Sequence, residues 1–87
     1  MVSNKKEQNR EEQFTDFLNA IGSKLKELRE KAGYTSYEHF AYDHNFGRAQ
    51  YGKYERGTED MRLSSLFRIL EVMNISWSDF FKDIQNK

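Results

Sequence analysis

Cysteine and proline are both absent from the 87 residues. Without Cys there can be no disulfide, no thiolate metal site and no cysteine nucleophile. Without Pro, the task of ending helices falls to glycine, present five times, and to Asn and Asp. A net charge is missing as well: Lys plus Arg is 14 and Asp plus Glu is 14, so no global field draws the chain to a polyanion or a polycation. No apolar run approaches the ~20 residues of a membrane span; doublets such as Phe80–Phe81 are typical. The opening MVSNKKEQNREEQ is charged and holds no apolar stretch of the signal-peptide kind. The expectation is a soluble, cytoplasmic protein. A domain of this length buries only ~60–65% of its unfolded surface, too little to enclose the large cleft that most enzymes need.

What the chain does have is aromatic side chains and helical spacing. Seven Phe, five Tyr and one Trp offer a small domain much apolar area per residue. Residues 1–12 read as a polar, disordered arm or frayed helix start, followed by one domain over 13–87. Phe14, Phe17, Leu18, Ile21, Leu25 and Leu28 recur at steps of three and four, which predicts a helix over about 14–32, with a break possible at Gly22–Ser23. Lys24, Lys26, Glu27, Glu30 and Lys31 fall largely on its other faces. Thr35 and Glu38 have capping-box spacing, ahead of a short helix over about 36–44. Asn45 and Phe46 make a tight turn. Gly47 opens a third helix over about 48–56 and Gly57 closes it. Leu63, Leu66, Ile69, Leu70 and Met73 mark a fourth helix, ended by Asn74. Ser76 and Asp79 form a second capping box before a last helix striped with Trp77, Phe80, Phe81 and Ile84. No period-two pattern appears, so the fold class is all-α with five helices.

Two short helices around a tight turn, the second carrying Arg, Gln and Lys outward, form the pattern of a helix-turn-helix. From Ile21 to about Phe81 the chain resembles the Cro / phage-repressor (Xre-type) helix-turn-helix DNA-binding family. IGSKLKELREKAGYT is similar to that family's first helix and turn. FAYDHNFGRAQYGKYERG is similar to its central motif, with Ala41, Asn45, Phe46, Tyr51, Tyr54, Glu55 and Gly57 in register. SSLFRILEVMNIS and WSDFF are similar to its fourth helix and ending. The chain departs from the family in three places. One extra residue lies between Gly33 and Ala41, so Ser36 and Tyr37 stand where relatives carry a phosphate-binding Gln. The loop after Gly57 reads T-E-D-M-R where relatives are often basic. Gly52 interrupts the recognition helix, at a cost of ~1 kcal/mol relative to Ala.

The resemblance implies a phage-repressor-like domain with an N-terminal helical extension, acting as a sequence-specific transcriptional regulator on double-stranded DNA as a homodimer. Arg48, Ala49, Gln50 and Lys53 would face bases in the major groove: Arg and Lys suit guanine, Gln adenine, and Ala a thymine methyl. Ser36, Tyr37 and Gly47 would hold phosphates, and Arg29 with Glu55 would form a structural ion pair. Residues 21–57 hold seven Lys/Arg against five Asp/Glu, a small surplus where DNA would lie. The hydroxyls of Tyr34, Tyr37 and Tyr42 suit phosphates and their rings an exposed base, but a core cap with a wet hydroxyl is the commoner role and the one expected here. Phe14 and Phe17 are expected to pack on the last helix of the same chain, or else on another chain. His39 and His44, five apart, do not share a helical face, and no catalytic constellation, metal site, cofactor or small-molecule effector is expected. The rival class is an antitoxin-like protein-interaction module on the same fold, favoured by neutral charge and by Glu59 and Asp60.

Overall fold

The first helix, α1, runs without interruption from Val2 to Lys31 in the computed structural model, which describes residues 2–85. At about 1.5 Å of rise per residue it is roughly 45 Å long and accounts for the 49 Å long dimension of the fold. It starts a dozen residues before the apolar stripe does. Of the two readings of residues 1–12, disordered arm or helix start, the second is the form seen from Val2 onward; Met1 lies outside the described residues, as do Asn86 and Lys87. The reason is that Glu, Gln, Lys and Arg are good helix formers, and lengthening a helix already nucleated by packing is cheap.

Four shorter helices follow: α2 (Tyr37–Asp43), α3 (Arg48–Arg56), α4 (Leu63–Met73) and α5 (Trp77–Gln85). No strand occurs among the described residues, and the fold is all-α. The cap of α2 is Ser36, not Thr35: its Oγ accepts from the amides of Glu38 and His39, both at 3.2 Å. Either hydroxyl could cap, and the one chosen turns Phe40 and Ala41 into the core together. Gly57 and Asn74 end α3 and α4 in the left-handed conformation, at φ 71° and 57°, and Ser76 Oγ accepts from the Asp79 amide at 3.1 Å to start α5.

The core consists of Ile21, Leu25, Phe40, Ala41, Tyr51, Leu66, Ile69, Leu70 and Phe80, with Leu28, Phe46, Tyr54, Met73 and Ile75 packed against it. Trp77 departs from its expected inward stripe and is 64% exposed. Phe14 and Phe17 are each 46% exposed and stack on one another at 6.5 Å. Lys24 departs in the opposite sense. It is buried, with its ammonium held by Asp83 of α5 at 3.2 Å and by Glu27 at 3.6 Å.

Close approach explains Gly22, where no break occurs. A Cβ there would strike the carbonyl oxygens of Tyr54 and Glu55, so α1 lies directly on the end of the α3 backbone. Beside this contact Arg29 forms a fork with Glu55: Nε to Oε2 at 2.7 Å and NH2 to Oε1 at 3.0 Å. Its remaining nitrogen, NH1, donates to the Tyr34 carbonyl at 2.7 Å. Both side chains are nearly inaccessible, at 4% and 6% exposure. Hydrogen bonding to Glu55 raises the Arg29 pKa above its ordinary value against the opposing cost of burial. Tyr51 is also buried, and its hydroxyl has no hydrogen-bond partner among the described residues. Burial, and then the nearby Glu55 charge, push its pKa well above the usual tyrosine range.

Two outcomes are expected. Glu55→Ala strands a buried guanidinium and should cost about 3 kcal/mol, read as a thermal melt lowered by roughly 10–20 °C. Replacing both partners by apolar residues should cost less than either single change, and a Glu55→Ala melt equal to the parent's would show the pair to be inert. Tyr51→Phe removes an unsatisfied hydroxyl, so it should be neutral or slightly stabilising near pH 7. The folded-state pKa of Tyr51 is raised above that of the unfolded chain, so its contribution is complete below about pH 10 and is lost as pH rises further. Tyr51→Phe should therefore denature less readily in alkali; an unchanged alkaline midpoint would contradict this.

Candidate nucleic-acid interface

Helices α2 and α3 are joined by a turn over 44–47 that the sequence specifies residue by residue. Asn45 takes the left-handed conformation at φ 62°, and the Phe46 amide then donates to the Ala41 carbonyl at 2.8 Å. The Phe46 ring stacks on Tyr51 at 6.1 Å and 13°, while Phe40 meets Tyr51 at 5.1 Å. Arg68 of α4 closes the turn from outside. Its guanidinium sits 4.7 Å from the Phe46 ring centre, and NH2 donates to the Asn45 carbonyl at 3.4 Å. This role depends on a cation–π contact between residues far apart in sequence, and no local pattern announces it. Tyr51 and Gly52 face inward, so α3 is held by one side and presents the other.

Arg48, Ala49, Gln50 and Lys53 are all exposed; Ala49, Gln50 and Lys53 lie opposite the buried pair, whereas Arg48, the first residue of α3, stands one turn before Tyr51 and Gly52. No carboxylate among the described residues pairs with Arg48 or Lys53. Gln50 borders a polar recess shared with Tyr54, Glu59, Asp60, Arg62 and Ser65, so the acidic loop is a neighbour of the outer face and Arg62 partly offsets it. Ser36, Tyr37 and Gly47 do not form one cluster. Gly47 caps α3 and borders a depression with Tyr42, Asp43 and Arg48, whereas Ser36 and Tyr37 stand at the other end of α2, about 10 Å of helix away. Ser36 Oγ is committed as the cap acceptor and retains only its O–H to donate. The Tyr37 ring is half-buried against α3, and Tyr42 is 72% exposed. Tyr34 donates its hydroxyl to Asp43 Oδ2 at 2.9 Å and rests edge-on against Phe40 at 5.3 Å, the core-cap arrangement. Sequence reasoning passed over Arg56, which is exposed and continues the stripe of Ala49 and Lys53 at helical spacing.

The tightness of the motif can be tested at Ala41, which is fully buried where α2 meets the core. Ala41→Leu should overpack that contact and cost ~1–3 kcal/mol, seen as a lower thermal midpoint; an unaltered melt would contradict the geometry.

No family model matches the chain. A relative does: over 67 residues the chain is 33% identical to control protein C.MunI of Mycoplasma sp., with 77% of this chain and 90% of the relative covered. That identity extends over nearly the whole of the relative and falls on an all-helical domain with two short helices around a tight turn. The chain belongs to the same family of helix-turn-helix control proteins.

Proposed function

We propose that the chain is a sequence-specific DNA-binding transcriptional regulator that lays α3 in the major groove. The observation that carries this reading is the asymmetry of α3. One side is fixed by Tyr51 and the Arg29–Glu55 fork, the other offers exposed Gln50 and Lys53, and unpaired Arg48 stands exposed at the helix start. Arg48 lies at the helix end that enters the groove and suits guanine O6 and N7; Gln50 suits adenine N6 and N7; Ala49 leaves room for a thymine methyl. Lys53, further along, is assigned to a base edge or the nearest phosphate. Ser36 and Tyr37 at the start of α2, and the backbone at Gly47, are assigned to phosphates. The reading includes no catalysis, no cofactor and no small-molecule effector, and it places the protein in the cytoplasm. No described helix is long and apolar enough to cross a membrane.

A homodimer belongs to the same reading, because two copies of α3 double the contacts and suit half-sites roughly 34 Å apart. An apolar surface formed by Leu63 and Phe67 of α4 with Trp77 and Phe81 of α5 supports it. Leu63 is 81% exposed and Phe67 54%, more apolar side chain than a monomer of this size usually leaves in water. The same surface favours the second reading, an antitoxin-like interaction module in which DNA contact is secondary.

Arg48→Ala and Gln50→Ala should each cost ~1–3 kcal/mol on the preferred duplex and little on a scrambled one. Lys53→Ala should weaken both alike if it holds a phosphate. Fluorescence anisotropy at several salt concentrations measures this, with circular dichroism to confirm folding. A folded triple variant that binds the preferred duplex as tightly as the parent would move the interaction module to first place.

A further inference from the structure

Gly52 and Tyr37 are two departures from the repressor pattern, and the structure joins them. A Cβ added to Gly52 would stand 2.7 Å from Tyr37 Cε1, 3.0 Å from Tyr37 Cζ and 3.2 Å from Arg56 NH1. The missing side chain is therefore a notch in the middle of α3, filled by the Tyr37 ring from the start of α2 and by the Arg56 guanidinium from one turn further along α3. Tyr37 Cε1 and Arg56 NH1, at 2.7 and 3.2 Å from one point, lie within about 6 Å of each other. Arg56 is exposed and makes no ion pair among the described residues. Its neighbour Glu55, the nearest carboxylate in sequence, is fully engaged by Arg29.

We infer that Tyr37 and Arg56 form a two-residue grip for one phosphodiester of the DNA backbone, seated over the Gly52 notch at the corner between α2 and α3. The inference rests on the DNA-binding reading and deepens it by adding Arg56, which the base-facing set does not contain. Arg56 supplies the charge-assisted N–H donors, and the Tyr37 ring limits the rotamers open to the guanidinium, lowering the entropy lost on binding. Arg56 is the charged contact, and Tyr37, assigned above to a phosphate, meets the same one while positioning the guanidinium. The arrangement also gives the helix-weakening Gly52 a purpose. A phosphate contact carries no base preference, so the grip adds affinity on every duplex.

The test uses the full chain with two fluorescein-labelled duplexes, one of the sequence enriched from a random library and one scrambled, titrated by anisotropy from low to near-physiological salt. Arg56→Ala, an exposed change, should keep the parent's circular dichroism and melt. It should weaken both duplexes by about three- to tenfold at low salt and lower the slope of log affinity against log salt by about one. Lys82→Ala removes an exposed cation from α5 and should alter neither. Single uncharged methylphosphonates stepped along each strand of the enriched duplex should reveal one position per half-site that weakens the parent and leaves Arg56→Ala unaffected. Tyr37→Ala should reduce the penalty at that same position. A parent that binds neither duplex overturns the DNA reading and the grip together. A parent that binds while Arg56→Ala keeps its affinity and slope, or while Lys82→Ala loses as much, overturns the grip alone.

Discussion

The bidentate contact between Arg29 and Glu55 is the constraint on which the arrangement of the other elements depends. One guanidinium binds three pieces of chain: α1, which carries it, the loop before α2 through the Tyr34 carbonyl, and the last turn of α3 through both carboxylate oxygens. Two charges removed from water are tolerated only when their hydrogen-bonding capacity is used, and here Nε, NH1 and NH2 of Arg29 all donate. The pair adds direction to a core that hydrophobic burial alone would leave free to slide. Because it grips α3 from behind, it fixes the helix without consuming any group on the outer face.

Two glycines set distances around that pair. Gly22 lets α1 lie on the α3 carbonyls, and Gly52 lets the Tyr37 ring lie against α3. Each weakens its own helix by about 1 kcal/mol relative to Ala, and each gains a contact that a methyl group would forbid. Helix α3, only nine residues long, would be marginal alone; it is a stable platform because α1, α2 and Arg68 of α4 enclose its buried side. An outer face with exposed, unpaired cations on a fixed short helix is what major-groove readout asks of a protein.

The parts of the fold that were legible in the sequence are those with local causes. Helix α3 starts and stops where Gly47 and Gly57 stand, and α4 ends at Asn74, because backbone conformation there is set by single residues. The apolar spacing likewise marks the core positions. What escaped depends on partners distant in sequence. Lys24 reads as a surface residue until Asp83 is brought to it. Arg68 reads as solvated until the turn places Phe46 beneath it. The start of α1 carries no apolar period, so its helix rests on propensity and continuation alone. Thr35 and Ser36 are equally good caps, and only the phase of Phe40 and Ala41 distinguishes them. In the candidate site, the exposure of Ala49, Gln50 and Lys53 follows from helical spacing, whereas the meeting of Tyr37 with Arg56 over Gly52 needs the crossing of two helices.

That α3 reads DNA sequence is the central claim, and selection from a random duplex library tests it most directly, at low salt and again near physiological salt. Affinity for phosphates falls steeply over that range, while base contacts persist as preference. The account predicts enrichment of a two-fold symmetric motif at both salts, with half-sites about one helical turn apart. Recovery of no motif at either salt, from protein shown to be folded, would contradict it.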